Sequence, residues 1–281
     1  YLKKAIDSIY SQSYTNWEII FWDNASTDES AIIAQSYDDR LKYYKSAENC
    51  SLGEARNFAL RQTKGKYIAF LDCDDLYLPN KLLRQLDVLE NYDYAMIYSS
   101  VIMIDAKGNE FRKLIVKNDN GYMLPELLIH YEINMQSVML RKSVLNDENL
   151  SFNSTLKYCP DYNLFMKIAA NYDVGVIKEP LVNYRVSPNS LSTQTLDIAS
   201  HENKFSLDEI SSKYPELRSK YEFAFNAAYA KLHYYDAVAS IHKSDFVQAR
   251  ARLKKVIFKR WEYLILYFIL YLPVRKVVIL R

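Results

Sequence analysis

From Tyr67 to Leu71 the chain reads YIAFL and then runs directly into Asp72, Asp74 and Asp75. A short apolar strand that delivers three carboxylates at its C-terminal end restricts the fold sharply. Like charges a few ångströms apart raise one another's pKa, and a cation among them removes that penalty. In open α/β sheets, ligands bind just beyond the carboxyl ends of the strands. An Asp-X-Asp in that place points to a divalent cation and an anionic ligand, most simply a nucleotide diphosphate. The competing explanation makes Asp74 and Asp75 caps of the next helix, since residues 80–90 have helical spacing after Leu78-Pro79. A cap needs one acid, and Asp72 stands too early to serve.

The flanking pattern is that of an α/β protein. Trp17 to Trp22 (WEIIFW) is a continuous apolar run, the mark of a strand buried on both faces, and it ends in the polar turn Asp23-Asn24-Ala25-Ser26. A helix is expected from about Ser30, a strand over 41–45, and a helix over 52–62 carrying Arg56 and Asn57. This alternation predicts a mostly parallel sheet with crossover helices. Beyond residue 93 the pattern turns antiparallel. An alternating segment over 94–105 meets the turn Asp105-Ala106-Lys107-Gly108-Asn109 and returns over 110–116. A helix follows over 124–131, a strand over 137–141, a helix over 162–170 and closing strands over 173–178 and 181–186. From about Thr195 the spacing is helical, with 223–241 and 246–258 forming a hairpin joined at His242-Lys243-Ser244-Asp245. The expected division is an α/β domain over 1–194 and a helical extension over 195–281. Leu2, Ala5, Ile6 and Ile9 have helical spacing, so the chain is expected to open inside a helix, with a preceding strand missing.

With 281 residues and 49% hydrophobic content, the chain has material for one sizeable core and a smaller second unit. Its 36 basic and 34 acidic residues nearly cancel, which gives nucleic-acid binding no support. Cys50, Cys73 and Cys159 are scattered, arguing for a reducing compartment and against structural zinc. The apolar run over 263–273 is shorter than the ~20 residues that span a bilayer. Flanked by Lys254, Lys255, Lys259, Arg260, Arg275, Lys276 and Arg281, it suits a helix lying in a membrane surface. It equally suits a helix packed on the core with lysines at its rim, and both readings stay open here.

Five segments in order, NWEIIFWDNASTDES, ENCSLGEARNFAL, GKYIAFLDCDD, CPDYNLFMKIA and EPLVNYRVSPNSLS, resemble the family 2 glycosyltransferases over about residues 1–195. The resemblance implies a GT-A fold: a Rossmann-like, mostly parallel sheet sandwiched by helices, here followed by an all-helical extension. It implies an inverting glycosyltransferase that uses a nucleotide-diphosphate sugar, with a UDP-sugar as the leading expectation. By resemblance, Asp23 matches the acid that binds the base, Arg56 a residue near the nucleotide, and Asp72 the acid facing the ribose. Asp74 matches the ligand of Mg²⁺ or Mn²⁺, and Asp161 the catalytic base. Asp75, Gln136 and Arg185 are secondary candidates; Asp75 is otherwise a cap and Gln136 an ordinary strand-edge residue. Each main candidate also has a plainer role: Asp23 as an Asx-turn or helix cap, Arg56 as a surface cation, Asp161 as a helix N-cap.

The implied acceptor is a hydroxyl of a growing glycan or lipid-linked glycan in cell-surface polysaccharide synthesis. The implied place is the cytoplasm, peripheral at the inner face of a membrane, with contact through 246–281. Two departures from the family pattern stand out: Pro160 replaces the glutamate before the catalytic aspartate, and Ser187 replaces a histidine after Tyr184-Arg185. They support a rival reading as a catalytically degenerate domain that binds nucleotide sugar or a partner. A nucleotidyltransferase is disfavoured, because no Gly-rich, Lys/Arg-bearing phosphate loop occurs early in the chain.

Overall fold

A computed structural model describes residues 1–187 and 198–271. Two compact units divide the chain, Tyr1–Leu124 with Glu132–Pro188, and Pro125–Tyr131 with Asn189–Arg281. Thr195 and the tail from residue 272, both named above, lie outside the described residues.

The first unit opens with α1 (Leu2–Tyr10), whose Leu2, Ala5 and Ile6 are buried as their spacing requires. There follow β1 (Ile19–Asp23), α2 (Ser30–Gln35), β2 (Leu41–Lys45), α3 (Leu52–Gln62), β3 (Tyr67–Ala69), β4 (Leu76–Tyr77) and α4 (Lys81–Asn91). The second half holds β5 (Met96–Ile104), β6 (Glu110–Leu114), a 3₁₀ turn at Met135–Ser137, β7 (Met139–Arg141), α6 (Lys142–Asp147), α7 (Pro160–Asn171) and β8 (Val174–Arg185), with α5 (Leu124–Ile129) between β6 and that turn.

β1 and β2 form a parallel pair, and the other strands a sheet of order β3-β7-β5-β8-β4 with β6 beside β5. The sheet is mixed rather than mostly parallel: β5 and β8 run parallel, whereas β3–β7, β4–β8, β5–β6 and β5–β7 are antiparallel. β4, β6 and β7 are short segments that return along a neighbour instead of crossing over. The strand expected to be buried on both faces, β1, keeps partial exposure along Ile19–Trp22, because it pairs with β2 alone. The element buried on both faces is β5, whose residues from Met96 to Val101 are all buried. The two closing strands expected over 173–186 are one continuous β8, whose register against β5 shifts near Ser100 and so accommodates Pro180. The core between sheet and helices is built from Leu82, Leu89, Ile97, Val101, Met139, Leu181 and Val182.

The second unit contains nearly all of α5, then α8 (Ala199–Lys213), α9 (Pro215–Lys220), α10 (Glu222–His242), α11 (Phe246–Lys254) and α12 (Trp261–Ile269). α10 and α11 make the expected hairpin; Ser244, in the left-handed region at φ 61°, closes it, and the Asp245 carboxylate caps α11 by accepting from the Gln248 N–H. Ala237, Ile241, Ala249, Leu253, Tyr263 and Leu270 form its core.

Candidate active site

The site is assembled on α3. Ser51 caps this helix, its Oγ accepting from the Glu54 N–H at 3.2 Å. One turn on, Asn57 grips residue 152 at both ends: its Nδ2 donates to the Phe152 carbonyl at 2.8 Å, and its Oδ1 accepts the Phe152 N–H at 2.9 Å. The segment comes so close that a Cβ at position 53 would stand 2.7 Å from the Asn153 carbonyl oxygen. Gly53→Ala is therefore expected to destabilise the fold by about 1–3 kcal/mol, read as a lower midpoint in chemical denaturation. The pinned Phe152 ring meets Phe70 edge-on at 5.7 Å. Above it lies the Arg56 guanidinium, 5.5 Å from the ring centroid, which reaches Asp72 Oδ1 at 3.3 Å. Arg56 is thus held between an aromatic face and a carboxylate, and is no free surface cation.

The segment gripped by α3 leads into α7. Pro160 occupies the first turn, where a missing N–H costs nothing, and Cys159 takes the N-cap position. Asp161 therefore sits inside the first turn and is not the cap. Burial pushes its carboxyl above the ordinary aspartate range; the Arg56 charge draws it down, and the Asp72 charge pushes it up again. Residues 56, 72 and 161, far apart in sequence, consequently share one electrostatic neighbourhood.

Asp72 is exposed, and the turn after it folds Asp75 inward to 1% exposure. Arg185, at the end of β8, organises this turn. Its N–H donates to Asp75 Oδ1 at 2.6 Å, its Nε to the Asp74 carbonyl at 2.8 Å, and its Nη1 to the Asp105 carbonyl at 2.7 Å. Asp75 Oδ2 is buried without a hydrogen-bond partner, and burial pushes this carboxyl up to about 8. Asn80 holds the N-cap position of α4, so neither Asp74 nor Asp75 caps that helix. Asp74 is partly buried, its carboxyl raised first by burial and then by the neighbouring Asp72 charge. Cys73 between them is a free thiol.

Among the described residues, no three carboxylate, imidazole or thiol groups converge as a ready-made cation cage. Mg²⁺ or Mn²⁺ held by one or two carboxylates and completed by substrate phosphates needs no such cage. Asp74 fits that manner of binding. It is a hard oxygen donor whose charge is disfavoured by its surroundings, and a cation would relieve it.

Asp23 lies at the end of β1, 1% exposed. Its Oδ1 accepts the Ser26 N–H, three residues on, at 2.7 Å, with Ala25 between them at φ 62°, and its Oδ2 accepts from the Tyr43 hydroxyl at 2.6 Å. Burial opposes its charge, yet these hydrogen bonds and Lys45 hold the carboxyl below the ordinary value. The local bond of Asp23 thus spans three residues rather than the two of an Asx-turn, and the Tyr43 bond ties β2 to the same acid. Gln136, instead of standing at a strand edge, is 3% exposed in the 3₁₀ turn, with an Nε2 that has no partner.

Residues 1–146, about half of the chain, match the family model described as Glycosyl transferase family 2. The chain belongs to glycosyl transferase family 2. Among relatives in this family, an uncharacterized glycosyltransferase of Methanocaldococcus jannaschii is 34% identical over 201 residues, 67% of this chain and 67% of the relative. One of Rickettsia typhi is 34% identical over 194 residues, of which this chain spans 60% of the relative's length. WfgD of Escherichia coli, a UDP-Glc:alpha-D-GlcNAc-diphosphoundecaprenol beta-1,3-glucosyltransferase, is 27% identical over 195 residues, 68% of this chain and 74% of that protein. The mannosyltransferase PcManGT of Pyrobaculum calidifontis, solved with GDP-Man and Mn²⁺, superposes with TM-score 0.62 at 16% identity, covering 96% of this chain and 80% of that one. S. aureus TarS 1–349 with UDP-GlcNAc gives 0.61 at 15% identity, covering 92% and 88%. These likenesses establish the GT-A fold. Three residues that hold these side chains in place, Tyr43, Asn57 and Phe152, carry no sequence signal as site residues.

Proposed function

We propose that this chain is an inverting glycosyltransferase. It moves a sugar from a nucleotide diphosphate, a UDP-sugar in the leading reading, to a hydroxyl of a glycan or lipid-linked acceptor in cell-surface polysaccharide synthesis. The observation that carries the reading is the convergence of Asp161, Arg56 and Asp72 from three separate segments. The nucleotide-sugar ligands in the TarS and PcManGT structures, and the UDP-Glc and lipid-linked acceptor in the name of WfgD, support it.

In this reading Asp23 accepts the N–H of the base, Asp72 the ribose hydroxyls, and Arg56 lends positive charge beside the donor. Asp161, ionised, takes the proton of the acceptor hydroxyl as that oxygen attacks the anomeric carbon. The bond from that carbon to the diphosphate oxygen breaks, its electron pair leaves with the diphosphate, and the configuration inverts. Arg185 and Asp75 hold the acidic turn in place, and Gln136 offers its unpaired amide N–H to an acceptor oxygen. Asp74 would hold Mg²⁺ or Mn²⁺, which when bound would supply Lewis-acid neutralisation of the leaving diphosphate. The place of action is the cytoplasmic side of a membrane, where lipid-linked acceptors are reached.

Titration of UDP-sugars with and without Mn²⁺ tests the donor site. Binding should require the metal, and Asp74→Ala should weaken it by about tenfold or more. Unchanged, metal-independent binding by Asp74→Ala would remove Asp74 from the site. Metal-dependent binding with no transfer or donor hydrolysis in any acceptor screen would favour the degenerate reading.

A further inference from the structure

Among the described residues no helix is long and apolar enough to cross a membrane. α12 nevertheless has an unusual division of its surface. Tyr263 and Leu270 are buried in the core of their own unit, with Leu266 packed against it. The other side is bare: Trp261 is 69% exposed, Ile265 48% and Phe268 60%, with Phe258 at 89% just before the helix. Positions 261, 265 and 268 are spaced as one helical face. The helix is therefore held by one stripe, while a second apolar stripe, unneeded for packing, faces outward.

Charge identifies what fits that stripe. Residues 246–271 carry six basic residues, Arg250, Arg252, Lys254, Lys255, Lys259 and Arg260, against the single acid Glu262, in a chain whose whole net charge is +2. Lys254, Lys255, Lys259 and Arg260 are exposed, on the segment that leads into the stripe. A soluble partner protein with an apolar patch would not call for such an excess. A surface with negative headgroups outside and hydrocarbon beneath calls for both features at once, and tryptophan favours that boundary. An exposed cationic segment leading into a bare face with Trp and two Phe is the complement of an anionic bilayer.

We propose that the second unit docks on an anionic lipid surface through Phe258, Trp261, Ile265 and Phe268, with Lys254, Lys255 and Lys259 contacting the headgroups. The helix lies in the interface and does not span it. The inference deepens the reading of a lipid-linked acceptor, because it places the enzyme on the surface that presents one.

The test is co-sedimentation of the full chain with vesicles of phosphatidylcholine containing about one third phosphatidylglycerol, and with phosphatidylcholine alone. Binding should need the anionic lipid and fall at high salt, where screening shortens the reach of the lysines. Lys255→Glu with Lys259→Glu, and separately Ile265→Ser with Phe268→Ser, should each lower the partition coefficient by about tenfold or more. All four side chains are exposed, and circular dichroism checks that both variants keep their helix. Undiminished binding by either variant overturns the proposal, as does equal binding to neutral vesicles. Self-association in lipid-free buffer that the serine variant abolishes would instead make the stripe an interface between copies. Mn²⁺-dependent UDP-sugar binding, measured without vesicles, reports on the donor site independently of any of these outcomes.

Discussion

Replacing Asp161 by asparagine is expected to lower turnover by about 10²–10⁴-fold while leaving nucleotide-sugar affinity close to that of the parent chain. Asparagine keeps the shape and removes the ability to take a proton, so the loss should appear in kcat and not in donor binding. A base works only when ionised, so activity falls as pH drops through its pKa. In this fold burial and the Asp72 charge lift that pKa and the Arg56 guanidinium lowers it, with a net rise. The acid limb of the parent's kcat/KM profile should therefore lie above the range of an ordinary aspartate. Arg56→Gln removes the lowering influence and should move the limb higher still, in addition to weakening the donor complex. Steady-state kinetics across pH decide the matter: transfer retained by Asp161→Asn, or a limb that ignores Arg56, would take Asp161 out of the base role.

A comparable effect on stability is expected at Lys81. This lysine, the first residue of α4, is fully buried. Its Nζ donates to Gln85 Oε1 at 2.7 Å, stands 3.5 Å from the Val138 carbonyl and lies 4.2 Å from the Tyr77 ring centroid. Gln85 in turn donates to the Ser137 carbonyl at 2.7 Å. No carboxylate pairs with the ammonium among these partners, and burial lowers its pKa from 10.5 to about 7. Between those two values the unfolded chain binds more protons than the folded one, so stability rises with pH. The slope approaches 1.4 kcal/mol per pH unit, on the order of 4–5 kcal/mol across the whole window. Denaturation of the parent and of Lys81→Met from pH 7 to 10 should show the parent gaining steadily on the variant. The buried Asp75 acts with the opposite sign below about 8, but both chains share it and the difference cancels. Parallel stability curves would mean that Lys81 stays charged and hydrated in the fold.

Legibility in the sequence followed the range of the interactions. α3 and β2 have the bounds their own residues predict, because spacing, a serine cap and flanking turns are local. The acidic turn was legible from its three carboxylates, but the apolar strand expected over 67–71 is β3 at Tyr67–Ala69, so Phe70 and Leu71 lie between its end and Asp72. β5 was less so: its alternating appearance over 94–105 hides a strand buried on both faces, where β7 and β8 flank it. Glu179-Pro180 looked like a break, yet the ladder shifts register and continues. The site's assembly was the least legible part. Asn57 reaches Phe152 across 95 residues and Arg185 reaches Asp75 across 110, and no periodicity announces such contacts. Position in an ordered family pattern brought Arg56, Asp72 and Asp161 together on paper; the side chains that hold them in register come from the fold.

Arg185 gives the molecule one more property. Its guanidinium joins the backbone of the acidic turn to the Asp105 carbonyl, at the root of the β5–β6 hairpin that Gly108 closes at φ 95°. A surface hairpin ordinarily drifts freely in length and shape over evolutionary time. This one is bolted to the backbone of the acidic turn, so an insertion at 105–109 would be felt as a shift of Asp74, some thirty residues away in sequence.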